Sequence, residues 1–307
     1  MYHGLLPVIK PKGMTSHDVV FKARKLLKMK KIGHTGTLDP SVEGVLLLCL
    51  GQGTKLVELL MDGVKGYRGE ITLGRATETE DADGAVIESQ AVSAPLSNEV
   101  IDQAMQRLTG TITQVPPMYS AVKVAGKRLY EYARAGEQVE RPVRQAEIYR
   151  FDRLNEPLYD ESEQTQRWSF DVLCGKGTYV RTLAVDLGQL LGYPSHMSAL
   201  YRYQTGGFSA SESYTLAQIA DYAEQGRLAE LITPLAQAVR SFPALKLNAS
   251  QYQAVRHGKV LPGNYFEQAV NEPTALFYEE RVYAIYQPHP TQPNLIKPLR
   301  MFVYDES

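Results

Sequence analysis

Gly33-His34-Thr35-Gly36-Thr37-Leu38-Asp39-Pro40 is the least ordinary stretch of this chain. Two glycines and a proline interrupt regular structure across it. A histidine and an aspartate give it chemistry. Upstream, Leu5 to Ile9 reads as a short strand and Pro11-Lys12-Gly13 as a turn. Ser16 then has the character of an N-cap, and Val19, Val20, Ala23, Leu26 and Leu27 follow at helical spacing. The other face and the end of that helix carry Lys22, Arg24, Lys25, Lys28, Lys30 and Lys31, with no acid between Val19 and Lys31. Such a run reads either as a solvated face or as a phosphate-binding surface; leading straight into the loop, it favours the second. Downstream, Val45 to Leu50 is a near-continuous apolar segment.

A chain of 307 residues is too long for one minimal domain, and 44% apolar content is enough for a real core. Tyr67 to Leu73 alternates as a strand, Thr77 to Gly84 is an acidic, turn-rich loop, and Asn98 to Leu108 has helical periodicity. Pro116 to Arg144 is rich in Pro, Tyr, Lys and Arg and reads as a long functional loop. Trp168 to Leu173 reads as a strand and Tyr179 to Leu191 as a helix opening after Gly175-Lys176-Gly177. Thr215 to Ala238 holds two or three short helices. After Phe242-Pro243 the texture changes to short β-like runs such as Arg281 to Tyr286 and Leu299 to Tyr304. The expected division is a first domain over 1–242 and a small β-rich domain over 243–307.

Several function classes fail on these residues. Basic and acidic residues nearly balance, 33 against 34, so a nucleic-acid partner must be served by local patches. Cys49 and Cys174 lie in apolar or strand-like runs and read as core residues. Met1 to Lys10 lacks a signal-peptide pattern, and no apolar run approaches the roughly 20 residues of a membrane span. A soluble protein of the reducing cytoplasm is expected. Gly51-Gln52-Gly53-Thr54-Lys55 has its lysine in the wrong place for a P-loop. Upstream of Gly175-Lys176 the required glycine is Phe170. A calcium loop around Asp81-Ala82-Asp83-Gly84 would need ligands at Thr79 and Gln90, and His34, His196 and His257 have no metal-ligand spacing.

The loop also resembles the catalytic motif of the TruB family of tRNA pseudouridine synthases. Four further stretches carry the likeness in the family's order. Lys10-Pro11-Lys12-Gly13-Met14-Thr15-Ser16 is similar to its N-terminal motif, and Gly66-Tyr67-Arg68 to the motif with its active-site tyrosine. Pro117-Met118-Tyr119-Ser120-Ala121 and Leu129-Tyr130-Glu131-Tyr132-Ala133-Arg134 resemble its RNA-gripping insertion, here about residues 116–144. Gly175-Lys176-Gly177-Thr178-Tyr179-Val180-Arg181-Thr182-Leu183 is similar to its arginine motif. Glu43, Leu47 and Tyr201 depart from the pattern: a small residue, a proline and a second arginine are usual there.

The resemblance implies an α+β fold with a mixed, largely antiparallel sheet flanked by helices, and a small, β-rich, PUA-like C-terminal domain. It implies isomerisation of the uridine at position 55 in the T loop of tRNA, by a monomer without cofactor or metal. Asp39, Tyr67 and Arg181 become the expected catalytic residues, and His34, Tyr179, Leu200, Asp81 and Lys10 the expected substrate-side residues. The chemistry suits them. Breaking a uridine's C–N bond and rejoining the base through carbon needs a carboxylate nucleophile, which attacks either the ribose or the base. Alone, an Asp beside Pro40 would read as a helix N-cap. As a nucleophile it must be ionised, and a guanidinium such as that of Arg181 lowers a carboxylate's pKa by about 1–3. Asp81 would hold the other side of that guanidinium. Tyr67 would stack on the base and serve proton removal at carbon five. Tyr179 and Leu200 would wall the pocket, and His34 would touch the displaced nucleotide. An RNA-binding module without chemistry is the first alternative; the intact trio of Asp39, Tyr67 and Arg181 argues against it. Hydrolysis of a glycosidic bond is the second, and it ordinarily needs two carboxylates across the bond rather than one beside an arginine.

Overall fold

The computed structural model describes residues 1–304. Strand β1 is Gly4–Lys10, helix α1 is Ser16–Leu26, and β2, Ile32–His34, leads into the loop. Strands β3, Glu43–Leu50, and β4, Lys65–Leu73, follow. Helix α2, Asn98–Arg107, precedes β5, Gly110–Gln114. Next come β6, Arg144–Arg153, β7, Thr165–Cys174, helix α3, Val180–Leu191, and β8, Ser195–Thr205. The central sheet runs β1-β3-β8-β4-β7-β6-β5. Among these neighbours only β3 and β8 are parallel. The sheet is therefore mixed and largely antiparallel, and the fold is α+β, as expected.

The apolar run Val45–Leu50 is continuous because β3 is covered on both faces. Leu46, Leu48 and Leu50 pack with Val19, Val20 and Ala23 of α1, while Leu47 and Cys49 meet Val57, Leu60 and Phe208 on the other side. Strand β7 alternates instead. Trp168, Phe170 and Val172 face the core shared with α2 and α3, and Asp171 points the other way, to Arg68 and Arg150. Burial pushes the Cys49 thiol up to about 12 and that of Cys174 to about 11, so both stay protonated at neutral pH, as core residues do.

Two local expectations are corrected. Thr15, not Ser16, caps α1: its hydroxyl accepts from the Asp18 amide at 3.1 Å while Asp18 accepts from the Thr15 amide at 2.8 Å. Both residues are cap formers, but only Thr15 has an acid three positions on to complete the box. Ser16 is thereby freed to turn inward, where its Oγ accepts from the Leu38 amide at 2.9 Å. Second, residues 116–144 are not all loop. Lys123–Val124 and Lys127–Arg128 form a small hairpin, and Leu129–Ala135 is helical, anchored by buried Leu129 and stopped by Gly136 in the left-handed region.

Beyond Pro243 a second sheet forms, in the order Ala244–Lys246, Thr274–Tyr278, Arg281–Pro288, Leu295–Met301, Leu261–Pro262. It has its own core around Val255, Leu276 and Tyr286. Its Ala275, Val282, Ile285 and Phe302 pack on Leu56, Leu235 and Val239. Two bonds frame that seam: Lys55 Nζ donates to the Met301 carbonyl at 2.6 Å, and Arg300 Nε to the Lys55 carbonyl at 2.7 Å. The second sheet is docked on the first unit rather than tethered to it.

Candidate active site

Residues 35–42 leave β2 and return to β3, so the loop is a long excursion from a paired hairpin. It is pinned along its length. The Thr35 amide donates to Leu47, Leu38 is bonded to Ser16, the Gly13 amide donates to the Pro40 carbonyl at 2.8 Å, and Leu38 and Val42 are buried in the core. Between the two apolar pins Asp39 faces outward, its side chain 40% exposed.

Arg181 meets it from the second position of α3. That helix starts where it does because buried Gln114 brackets Tyr179, accepting from its amide at 3.0 Å and donating to its carbonyl at 3.2 Å. The Arg181 guanidinium then serves four acceptors. Nη2 lies 3.1 Å from Asp39 Oδ2 and donates to the Tyr119 carbonyl at 2.9 Å. Nη1 lies 3.6 Å from Asp81 Oδ2 and donates to the Thr79 carbonyl at 2.9 Å. Asp81 is buried, and Thr79 and the Asp83 amide donate to its Oδ1. Glu80, next to it, takes a left-handed backbone (φ 64°), with its carbonyl bonded to the Met197 amide. Asp39, Arg181 and Asp81 thus come together as expected. The link from Arg181 to Tyr119 ties the candidate nucleophile to the insertion, which is also strapped to the acidic loop by Tyr119 Oη donating to Glu78 at 2.6 Å. That link lay outside sequence reasoning because its acceptor is a main-chain carbonyl.

A cleft of about 500 Å³ opens beside this group, lined by Pro40, Ser41, Asp81, Asp83, Met197 and Leu200 among others. Leu200 is part of its wall. Tyr67 lies fully inside, in the core cluster with Leu38, and Tyr179 is half-buried at the head of α3. His34 is half-buried at the end of β2, and its Nδ1 accepts from the Gly36 amide at 3.3 Å, which leaves Nε2 to carry the proton of the neutral ring. Burial, then the Arg202 charge, holds its pKa below the ordinary value.

Lys10 does not stand at the substrate side. It is fully buried, and its ammonium donates to the carbonyls of Pro11, Met14 and Pro40 at 3.0, 2.7 and 3.2 Å. Its three protons are spent on main-chain carbonyls, two in the turn after β1 and one in the Asp39 loop. Sequence reasoning passed over Arg202, which is buried beneath the loop. The signal for it was an arginine between two tyrosines in the middle of a strand.

The comparisons with known proteins follow this geometry. The model of the TruB family pseudouridylate synthase N-terminal domain matches residues 24–180, and that of the tRNA pseudouridylate synthase B C-terminal domain matches residues 181–240. The chain belongs to the TruB family. It is 47% identical over 305 residues to a tRNA pseudouridine synthase B of Halalkalibacterium halodurans, across 99% of this chain and 98% of that one. With the protein of that name from Bacillus pumilus it shares 46% over 309 residues, across 100% and 99%. Among solved structures, a chain of a Cbf5-Nop10-Gar1 complex superposes with a TM-score of 0.70 at 26% identity, over 99% of this chain and 84% of that chain. A chain of an H/ACA RNP bound to a substrate RNA containing 2'-deoxyuridine shares the fold, with a TM-score of 0.72 at 23% identity over 98% and 86%. This TruB-family chain is an enzyme of tRNA modification, isomerising uridine to pseudouridine. Among the described residues no side-chain group could hold a metal ion, and no helix is long and apolar enough to cross a membrane.

Arg181 lowers the Asp39 pKa as expected, but burial outweighs it. Burial raises the Asp39 pKa above the ordinary carboxylate range, with Asp81 and Asp83 adding to the rise, and the opposing pull of Arg181 and Lys10 does not restore it. Sequence showed the cation but not the low-dielectric walls or the second acid behind it. A pH prediction follows. If activity needs ionised Asp39, the rate should fall as pH drops through that raised value. A group whose folded pKa is raised binds its proton more tightly in the folded state. Its contribution to stability is therefore complete below the ordinary Asp value and lost as pH rises through the folded value. Rate and stability should run in opposite directions across that window, and Asp39→Asn should lack this share of the stability change. Single-turnover rates and thermal melts from about pH 3 to 8, a range bracketing the reference carboxylate values of about 4, check both. An acid limb at the ordinary value would contradict the burial argument.

Proposed function

We propose that the isomerised uridine is the one at position 55 in the T loop of tRNA, with Asp39 as nucleophile. The observation that carries the assignment to Asp39 is its place: the partly exposed carboxylate of a pinned loop, held by a guanidinium that Asp81 backs on the far side. Tyr67 stacks on the base and serves deprotonation, Tyr179 and Leu200 wall the pocket, and His34 contacts the displaced nucleotide. Residues 1–242 form the catalytic unit and residues 243–307 a PUA-like RNA-binding unit. Whether the relatives' substrate is shared is tested directly. Transcripts of tRNA labelled with tritium at uridine carbon five should release label to water, and a transcript with position 55 changed to cytidine should release none from that site. Undiminished release from the altered transcript would move the target elsewhere.

A base stacked in a loop must be extruded to meet a carboxylate, at a cost of a few kcal/mol. Contacts to the RNA backbone and stacking on side chains offset that cost. The insertion is built for both: Arg128 and Arg134 lie over Tyr130, and Lys127 over Tyr132, pairing cations with rings. On α1 and just beyond it, Lys22, Lys25, Lys28, Lys30 and Lys31 are all exposed. Changing Lys25, Lys28 and Lys31 together to Glu should weaken tRNA binding and flatten its salt dependence. Each lost phosphate contact reduces the log–log slope by about 0.7–0.9. An unchanged slope would return these lysines to a plain solvated face.

A further inference from the structure

Arg202 is a buried cation without a carboxylate partner among the described residues. Its Nε donates to the Val45 carbonyl at 2.8 Å, and its Nη2 and Nη1 to the carbonyls of Gly36 and Thr37 at 3.1 and 3.5 Å. The strands are built to admit it. On β8, Arg202 lies across from Gly44 on one side and from Tyr67 on the other. Gly44 has φ 130°, and a Cβ there would come within 2.2 Å of the Arg202 carbonyl, so only glycine lets β3 approach this closely. Taking a guanidinium out of water against neutral carbonyls alone costs several kcal/mol. A methionine or leucine could fill the space without that cost. The exception among its neighbours is Tyr67, its cross-strand partner on β4, whose hydroxyl can carry negative charge.

We propose that Arg202 is a positioning residue for the isomerisation: clamped to the carbonyls of the Asp39 loop, it holds the Tyr67 hydroxyl in register and stabilises the negative charge that gathers on its oxygen during proton removal. This rests on the reading of Tyr67 given above. In that step the Tyr67 hydroxyl proton passes to the Asp39 carboxylate, which the new carbon–carbon bond has released. The phenolic oxygen takes the proton from carbon five, and the electron pair of that C–H bond restores the ring's double bond. Asp39, whose side chain is partly exposed, then returns its proton to water. The surroundings fit this division. Burial raises the Tyr67 pKa, and Arg202 opposes that rise. Burial keeps the Asp39 carboxylate a better proton acceptor than an exposed one.

The test is a double-mutant cycle on the full-length enzyme with carbon-five-tritiated tRNA in single turnover. Arg202→Met should slow label release about 10- to 100-fold, the rate equivalent of one charge-assisted hydrogen bond, with tRNA affinity nearly unchanged. In a Tyr67→Phe background the same change should cost almost nothing more. Equal losses in both backgrounds would make Arg202 a scaffold of the loop only and overturn the proposal while leaving Tyr67 in place. A normal rate for Tyr67→Phe alone would remove the Tyr67 reading and the proposal with it. If thermal melting shows that Arg202→Met does not fold, Arg202→Lys takes its place. Lysine keeps the charge but cannot span the Val45 and Gly36 carbonyls, and the same coupling to Tyr67 decides the outcome.

Discussion

Asp39→Asn should abolish turnover, by on the order of 10⁴-fold or more, the scale of deleting a covalent nucleophile, while tRNA binds almost as before. The amide matches the carboxylate in shape, so the loop, pinned at Leu38 and Val42, has no reason to move. Arg181 keeps three of its four acceptors: Asp81, Thr79 and Tyr119. What is lost is a negative oxygen able to form a bond to carbon. Stability should move the opposite way at neutral pH. The surroundings disfavour the ionised form of Asp39, so a neutral amide relieves a penalty and the variant should melt no lower than the parent. Tritium release, filter binding and thermal melting on one preparation test the three parts. Turnover within about 10²-fold of the parent would show that another group is the nucleophile. A clear fall in melting temperature would show that Asp39 is a structural partner of Arg181 first.

Which of these features could be read from sequence follows from their physics. The helix of α1, the strands β4 and β7, and the run of β3 were legible because burial imposes a period, or its absence, on consecutive residues. The loop was legible because Gly, His, Asp and Pro rarely stand together without a local reason. The meeting of Asp39, Arg181 and Asp81 was not readable from any period. It arises from a β2–β3 excursion, the head of α3 and an acidic turn, and it came only through likeness to a family. Three details were out of reach for specific reasons. Thr15 and Ser16 are both good caps, and only the position of Asp18 separates them. The insertion's helix hangs on the one buried Leu129, too little to write a pattern. Lys10 is expected at the substrate side only through likeness to the family's N-terminal motif, and its burial under the loop is a tertiary fact. The same blindness hid the burial that opposes Arg181 at Asp39: charge partners are visible in a sequence, desolvation is not.

Tyr67→Phe should slow release of the carbon-five label by about 10²–10⁴-fold, the usual worth of a general acid–base group, without weakening tRNA binding. Phenylalanine keeps the ring that fills the core beside Leu38, so stacking on the base survives and only the hydroxyl is removed. Once the base has rejoined the ribose through carbon, one proton must still leave that carbon. Tyr67 is a buried phenol on β4, paired across the strands with Arg202 of β8. With the hydroxyl gone, deprotonation should become the slow step. Deuterium at carbon five should then give a larger kinetic isotope effect than in the parent enzyme, a readout that misfolding or weak binding does not produce. Tyr67→Leu, which loses ring and hydroxyl together, should fall further and should also bind the substrate less well. Should Phe and Tyr turn over equally, with the same isotope effect, the proton leaves by another route, and Asp39, raised in pKa and open to water, is the group left to take it.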